Sequence, residues 1–279
     1  MRICLFSVVA MVLWLCSCSG ARSEMQEDAA AEADSLVAEA ERPDDADSVE
    51  IAAPAPPEAA DLLFDDFIYG FMRSRDFQLQ RIVFPLPCVT DGETSSIARE
   101  SWRFDRLYAR SDVYLMIFDA QKRVDRSKDL KVKHVSVEML DFDALRVRRY
   151  VFDKLDGSWL LTRIEENSFE MHDDGDFYAF YQCFSTSDTY QQEHLASNIV
   201  FRTFDDDNFE HIEGTLTPDQ WSDFRPELPV GRVANINYGP NNPASDTRVV
   251  VVASVGSGMN STLTFRRTDG DWTLCKLEN

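Results

Sequence analysis

The sequence predicts an α+β protein made of two tandem repeats, each with N-terminal helices packed on a curved antiparallel sheet. Three observations predict it. An aromatic stripe at helical spacing occurs twice, as Phe64, Phe67, Phe71 and as Phe177, Phe180, Phe184. A hairpin with an Asp-Gly turn two residues before tryptophan also occurs twice, at Asp156-Gly157-Ser158-Trp159 and Asp269-Gly270-Asp271-Trp272. Both ends of the unit share one offset of 113 residues, which also relates Phe77 to Tyr190, Gln78 to Gln191, Phe152 to Phe265 and Leu161 to Leu274. A single offset serving distant stretches marks a duplication. Trp102 and Trp221, read as equivalents, stand 119 apart, so the middle of the unit carries compensating insertions.

Four segments follow from N- to C-terminus: a leader (1–18), an acidic tether (19–61), a first repeat (62–170) and a second repeat (171–279). The leader is Met1-Arg2 and an apolar run from Ile3 to Leu15, too short for the roughly 20 residues that cross a bilayer. Leu15-Cys16-Ser17-Cys18 resembles the bacterial lipobox, which implies that Cys18 is lipidated and begins the mature protein. From Ser19 to Asp61 the chain holds 13 acidic and 2 basic residues, with many alanines and Pro54-Ala55-Pro56-Pro57. Such a segment is expected to be a disordered, self-repelling tether. Asp34-Ser35-Leu36 and Asp47-Ser48-Val49 resemble acceptor sites for O-glycosylation, against the alternative of chance tripeptides. The rest of the chain carries a net charge of −11, which disfavours nucleic acid and anionic lipid as partners.

In the first repeat, Phe64, Phe67, Ile68, Phe71 and Met72 trace a buried helix face with Asp61 as N-cap. A second short helix is expected over Phe77 to Val83, before Phe84-Pro85-Leu86-Pro87. Thr90 to Ser96 reads as a polar loop, Val113 to Phe118 as a strand, and Arg123 to Lys133 as a charged loop. His134 to Leu140, Leu145 to Leu155 and Ser158 to Glu165 read as a meander of three strands. In each repeat the closing hairpin places a tryptophan, Trp159 or Trp272, in the core. The acidic junction from His172 to Asp176 precedes the second stripe, and Arg248 to Ala253 and Met259 to Phe265 are strands joined by the Gly256-Ser257-Gly258 turn.

Helices first, a curved sheet and a closing hairpin resemble the cone-like fold of the nuclear-transport-factor-2-like (cystatin-like) superfamily. Arg81-Ile82-Val83-Phe84-Pro85-Leu86-Pro87, the stretch from Trp221 to Pro229 and Asn235-Ile236-Asn237-Tyr238-Gly239 resemble motifs of an uncharacterised Bacteroidetes lipoprotein family. The resemblance implies the fold and a cell-envelope location, and brings no active site. In that fold the helix bearing Cys183 and the strand bearing Cys275 face each other. With Cys88 as the third cysteine of the body, the alternatives are one Cys183–Cys275 bridge or three reduced thiols.

The four histidines show no metal-ligand spacing, and neither the Asp173, Asp174, Asp176 cluster nor Asp205 to Glu210 matches a calcium loop. No metal and no cofactor are expected. Enzymes of the cone-like fold place an Asp or His in the pocket, for which Glu138, Asp141 and His134 are the first repeat's candidates. The leading reading is a non-enzymatic, membrane-tethered module for a small ligand or an envelope protein, with Trp221, Phe224, Arg225, Asn235, Asn237 and Tyr238 as its binding patch. The alternative is a single-pocket enzyme of the SnoaL or ketosteroid-isomerase type. A buried carboxylate or histidine of shifted pKa in a closed cavity favours the enzyme; a collapsed, aromatic-filled cone favours binding.

Overall fold

In the computed structural model, which describes residues 61–205, 207–255 and 260–279, the duplication returns as a duplicated order of elements. The leader, Cys18, Ser35, Ser48, the tether up to residue 60 and the Gly256-Ser257-Gly258 turn lie outside the described residues. The first repeat runs α1 (Phe64–Phe71), α2 (Arg75–Gln80), β1 (Leu86–Thr90), β2 (Glu93–Ile97), β3 (Val113–Phe118), β4 (His134–Asp141), β5 (Arg146–Leu155) and β6 (Ser158–Ser168). The second runs α3 (Gly175–Thr186), α4 (Asp188–Glu193), β7 (Leu195–Asp205), β8 (Glu210–Leu216), the short α5 (Trp221–Phe224), β9 (Arg232–Asn237), β10 (Thr247–Ser254), β11 (Asn260–Thr268) and β12 (Asp271–Glu278).

Matched residues do matched work. Ser74 and Ser187 cap α2 and α4, each hydroxyl accepting from the backbone N–H three residues on at 3.2 Å. Phe64 meets Trp159 edge-on at 5.1 Å, and Phe177 meets Trp272 at 5.1 Å. Phe71 on Phe152 and Phe184 on Phe265 are both at 5.2 Å and 89°. Both tryptophans are buried, as their place in the closing hairpins leads one to expect. Gln78 and Gln191 are buried inside their helices' packing. Each side-chain amide donates to the carbonyl seven residues back (Phe71 at 2.9 Å, Phe184 at 2.7 Å), and each amide oxygen accepts from a buried indole (Trp102 at 3.0 Å, Trp221 at 2.7 Å). Trp102 and Trp221 are therefore structural equivalents despite their slipped spacing.

Three local expectations are corrected. Leu63, not Asp61, occupies the N-cap of α1, because both Asp61 carboxylate oxygens are held by Arg81, at 3.0 and 2.8 Å. The second helix stops at Gln80 because the next residues join β6: the Leu161 N–H donates to the Arg81 carbonyl at 2.8 Å, and the Val83 N–H to the Leu161 carbonyl at 3.0 Å. The stretch read as a polar loop contains β2. Asp91 and Gly92, with φ of 47° and 86°, form the same left-handed two-residue turn as Asp156-Gly157 (49°, 85°) and Asp269-Gly270 (54°, 93°). A polar strand exposed on a sheet edge has no apolar alternation to announce it.

Instead of the two separate antiparallel sheets expected, the strands form one mixed sheet in the order β2-β1-β6-β5-β4-β9-β3-β10-β11-β12-β7-β8, with β1–β6, β12–β7 and β3–β9 parallel. The third strand of each repeat has crossed to the other: β3 pairs with β10, and β9 with β4. At the centre β3 and β9 lie parallel with a single registered pair, Leu115 opposite Asn235. Two asparagine side chains complete this seam, since the Ile117 N–H donates to Asn235 Oδ1 and Asn241 Nδ2 donates to the Ile117 carbonyl, both at 3.0 Å.

The central strands are buried on both faces. Met116, Phe118, Val249 and Val251 join the core under α1 and α2, while Leu115, Ile117, Val250 and Val252 join the core under α3 and α4. Alternate residues of one strand point to opposite faces, so the two helix pairs cover opposite faces of the sheet. Burial on both sides is the reason Val249 to Val252 is an unbroken apolar run.

Candidate functional site

Function is best sought where the two copies differ, since shared residues are accounted for by packing. Through the offset of 113, Val251 stands where Glu138 does, Ser261 where Arg148 does and Leu263 where Tyr150 does. These three substitutions mark two polar assemblies present only in the first half of the sheet.

The first assembly is buried. Glu165, Arg149, Glu138 and Asn235 lie directly opposite one another on β6, β5, β4 and β9, forming a polar row across four strands. Glu138 is fully buried; it accepts from Arg149 Nε at 2.9 Å, the Tyr178 hydroxyl at 2.6 Å and Asn235 Nδ2 at 2.8 Å. His172 stands with Nε2 3.3 Å from the same carboxylate and with Nδ1 accepting the Asp174 N–H at 3.1 Å. Burial penalises the Glu138 charge, but His172, Arg149 and Tyr178 outweigh it and hold the carboxyl well below the usual range. Beside it, Asp174 of the acidic junction is buried against the guanidinium of fully buried Arg248, at 3.1 and 2.8 Å, and accepts from Asn241. Glu138 is thus a locked structural anion, unable to trade protons near neutral pH.

The second assembly is a cleft of about 420 Å³, opening where β4, β5 and β6 meet the Asp105–Leu107 loop and the start of β9. Arg146, Arg148 and Arg232 line it, with Asp105, Asp141 and Glu166 opposed and Leu107, Met139 and Tyr150 as its apolar wall. Asp141 is held below its ordinary pKa by the Ala144 N–H and by Arg232, at 2.9 and 2.8 Å. The Tyr150 hydroxyl donates to Asp105, and burial together with that carboxylate pushes its pKa up.

The three sequence candidates for proton transfer are spread along β4. Glu138 sits in the buried row, Asp141 faces the cleft, and His134, at the far end of the strand, pairs with Asp153 at 2.8 Å. The expected six-residue patch divides into three places. Trp221 and Arg225 serve Gln191, with Arg225 also 2.6 Å from Asp188 and Phe224 half-exposed against Phe201. Asn235 joins the Glu138 row and Asn237 lines a neighbouring polar cavity of about 60 Å³. Tyr238 lies in the first core with its hydroxyl donating to Asp65. No disulfide joins Cys183 to Cys275: Cys275 Sγ donates to the Thr264 carbonyl at 3.3 Å, and Cys183 Sγ lies 3.6 Å from Gln182 Oε1. Cys275 follows inward-facing Leu274 on β12, so strand alternation turns it away from α3. Among the described residues no three His, Cys, Asp or Glu side chains cluster to hold a metal.

Missing from the sequence reading were Arg148, Arg149, Tyr178 and the cleft itself. The available signal was the comparison of copies: a Glu, an Arg and a Tyr facing Val, Ser and Leu at the same offset.

Helices over a strongly curved sheet, with a cleft at one end, define a protein of the nuclear-transport-factor-2-like class. The chain is similar in structure to an NTF2-like protein from Bacteroides fragilis NCTC 9343, with a TM-score of 0.72 and 35% identity over 81% of this chain and 98% of that one. Residues 43–279 match the family described as a domain of unknown function, DUF4348, and the chain belongs to that family. No curated protein matches it.

Proposed function

We propose that the chain is an exported lipoprotein, tethered to a bacterial membrane through Cys18, and that its folded body is a non-catalytic binding module for a small ligand or an envelope protein. The cleft between β4, β5, β6 and the start of β9 carries this reading. It is open and about 420 Å³ in volume, within the size range of small-molecule sites, and it combines apolar walls with convergent polar groups. The aromatic filling of both cores supports it further, because the helix stripes close down on Phe152, Trp159, Phe265 and Trp272. The enzyme alternative requires a carboxyl or imidazole poised near neutral pH at the cleft. Asp141 is instead held ionised by its partners, and Glu138 is sealed beneath the sheet's other face.

Native mass spectrometry of the purified body tests the binding reading. A co-purified ligand, displaced when Ala144 at the cleft rim becomes Trp, is the expected result; a ligand unaffected by Ala144→Trp would place binding elsewhere. The tether is tested by fractionation, since Cys18→Ala should move the protein from the membrane to the soluble fraction. Retention of Cys18→Ala in the membrane would sink the lipoprotein reading.

A further inference from the structure

We infer that the cleft takes a small organic anion, a carboxylate or phosphate on a compact apolar body, and that Arg148 is the group that binds its charged end. This rests on the cleft being the binding site and adds the chemistry of what enters it.

Each carboxylate on the cleft wall is already engaged: Asp105 by the Tyr150 hydroxyl and the Leu107 N–H, Asp141 by Arg232 and the Ala144 N–H, and Glu166 by Arg146 at 3.5 Å. Two of the three guanidinium groups are likewise committed, Arg232 to Asp141 at 2.8 Å and Arg146 to Asp91 at 3.0 Å. Arg148 is not. Its nearest carboxylate oxygen, on Glu166, is 3.8 Å away, and its Nε is buried without any acceptor. Since the side chain is exposed while Nε is covered, the Nη end of the guanidinium is the part a carboxylate or phosphate would meet, by a charge-assisted hydrogen bond.

The surroundings select the rest of the ligand. The Arg148 guanidinium lies 5.4 Å from the centre of the Tyr150 ring, and the side chain remains 43% exposed and so reachable. Leu107, Met139 and the Tyr150 ring offer an apolar wall beside it. Three guanidinium groups against three carboxylates leave the lining without net charge, so the acidic body does not exclude an anion from this place. Duplication provides the internal control. Ser261 and Leu263 replace Arg148 and Tyr150 in the second repeat, which folds alike, so the fold itself does not demand this pair.

Calorimetric titration of the folded protein with three probes of similar shape tests the assignment: 4-phenylbutyrate and phenyl phosphate as the two anions, and 4-phenylbutylamine as the cation. At least one anion is expected to bind and to weaken as salt is added, and the amine is expected not to bind. Arg148→Gln should weaken the anion about tenfold or more, the loss of a charge-assisted hydrogen bond, while Arg146→Gln should change it less than about threefold. Ala144→Trp should abolish binding. Equal or tighter binding of the amine, lost on Ala144→Trp, would overturn the anion assignment and leave the cleft as a binding site. Anion binding unaltered by Arg148→Gln would overturn the role of Arg148. Failure of all three probes at millimolar concentration would count against both the anion and the cleft.

Discussion

At the scale of the residue, buried polar side chains decide more than the apolar ones around them. Gln78 and Gln191 each satisfy a helix-end carbonyl and an indole N–H that are otherwise sealed from water. Gln78→Leu or Gln191→Leu is expected to cost about 1–3 kcal/mol by orphaning both groups, read as a lowered urea midpoint. Glu138→Ala should cost more, about 3–5 kcal/mol, since it leaves the Arg149 charge without its buried partner. Glu138, Asp119 and Asp153 all have depressed pKa values in the fold. Their contribution is complete above the ordinary carboxylate pKa of about 4 and is lost as pH falls through the depressed values. Urea unfolding across acidic pH should therefore show stability declining below about pH 4, with a shallower decline in Glu138→Gln. Sequence reading named Glu138 but not its setting, because its partners arrive from β5, α3, β9 and the junction, elements that no local pattern brings together.

At the scale of the element, legibility followed periodicity. The aromatic stripes of α1 and α3 and the Asp-Gly hairpins ending in Trp159 and Trp272 were readable because a period of 3.6 or 2 was written in apolar residues. Edge strands escaped: β2 is exposed almost throughout, and β8 from Glu210 to Thr215, so water faces both of their sides and their sequences carry no alternation. The hairpin turns make a direct test. Gly157 and Gly270 sit at φ of 85° and 93°, so Ala at either position should destabilise by about 1 kcal/mol or more, and Asp156→Gly by less. The asparagines of β9 read as members of a binding patch, and Asn235 supplies the acceptor that a one-pair parallel seam fails to give Ile117. Their role depends on which strand lies alongside, and that is a property of topology.

At the scale of the whole molecule, one offset revealed two copies but not how they are joined. Contacts between strands far apart in sequence leave no trace in a local pattern, and the exchange of β3 and β9 is made entirely of such contacts. Residues 62–170 expressed alone would keep β3 without β10, and β4 without β9, exposing their unpaired edges and the face that α3 covers. That fragment should fail to give a monomer with a cooperative unfolding transition, by size-exclusion chromatography and circular dichroism.

The exchanged strands also act as a clasp. A protease that cuts the chain between β6 and α3 severs the covalent link at the middle but leaves each piece holding a strand embedded in the other. Such a nicked protein should run as two bands on a denaturing gel and as a single species on a native column. Cleavage that would free a domain from a beads-on-a-string protein would here leave the assembly whole.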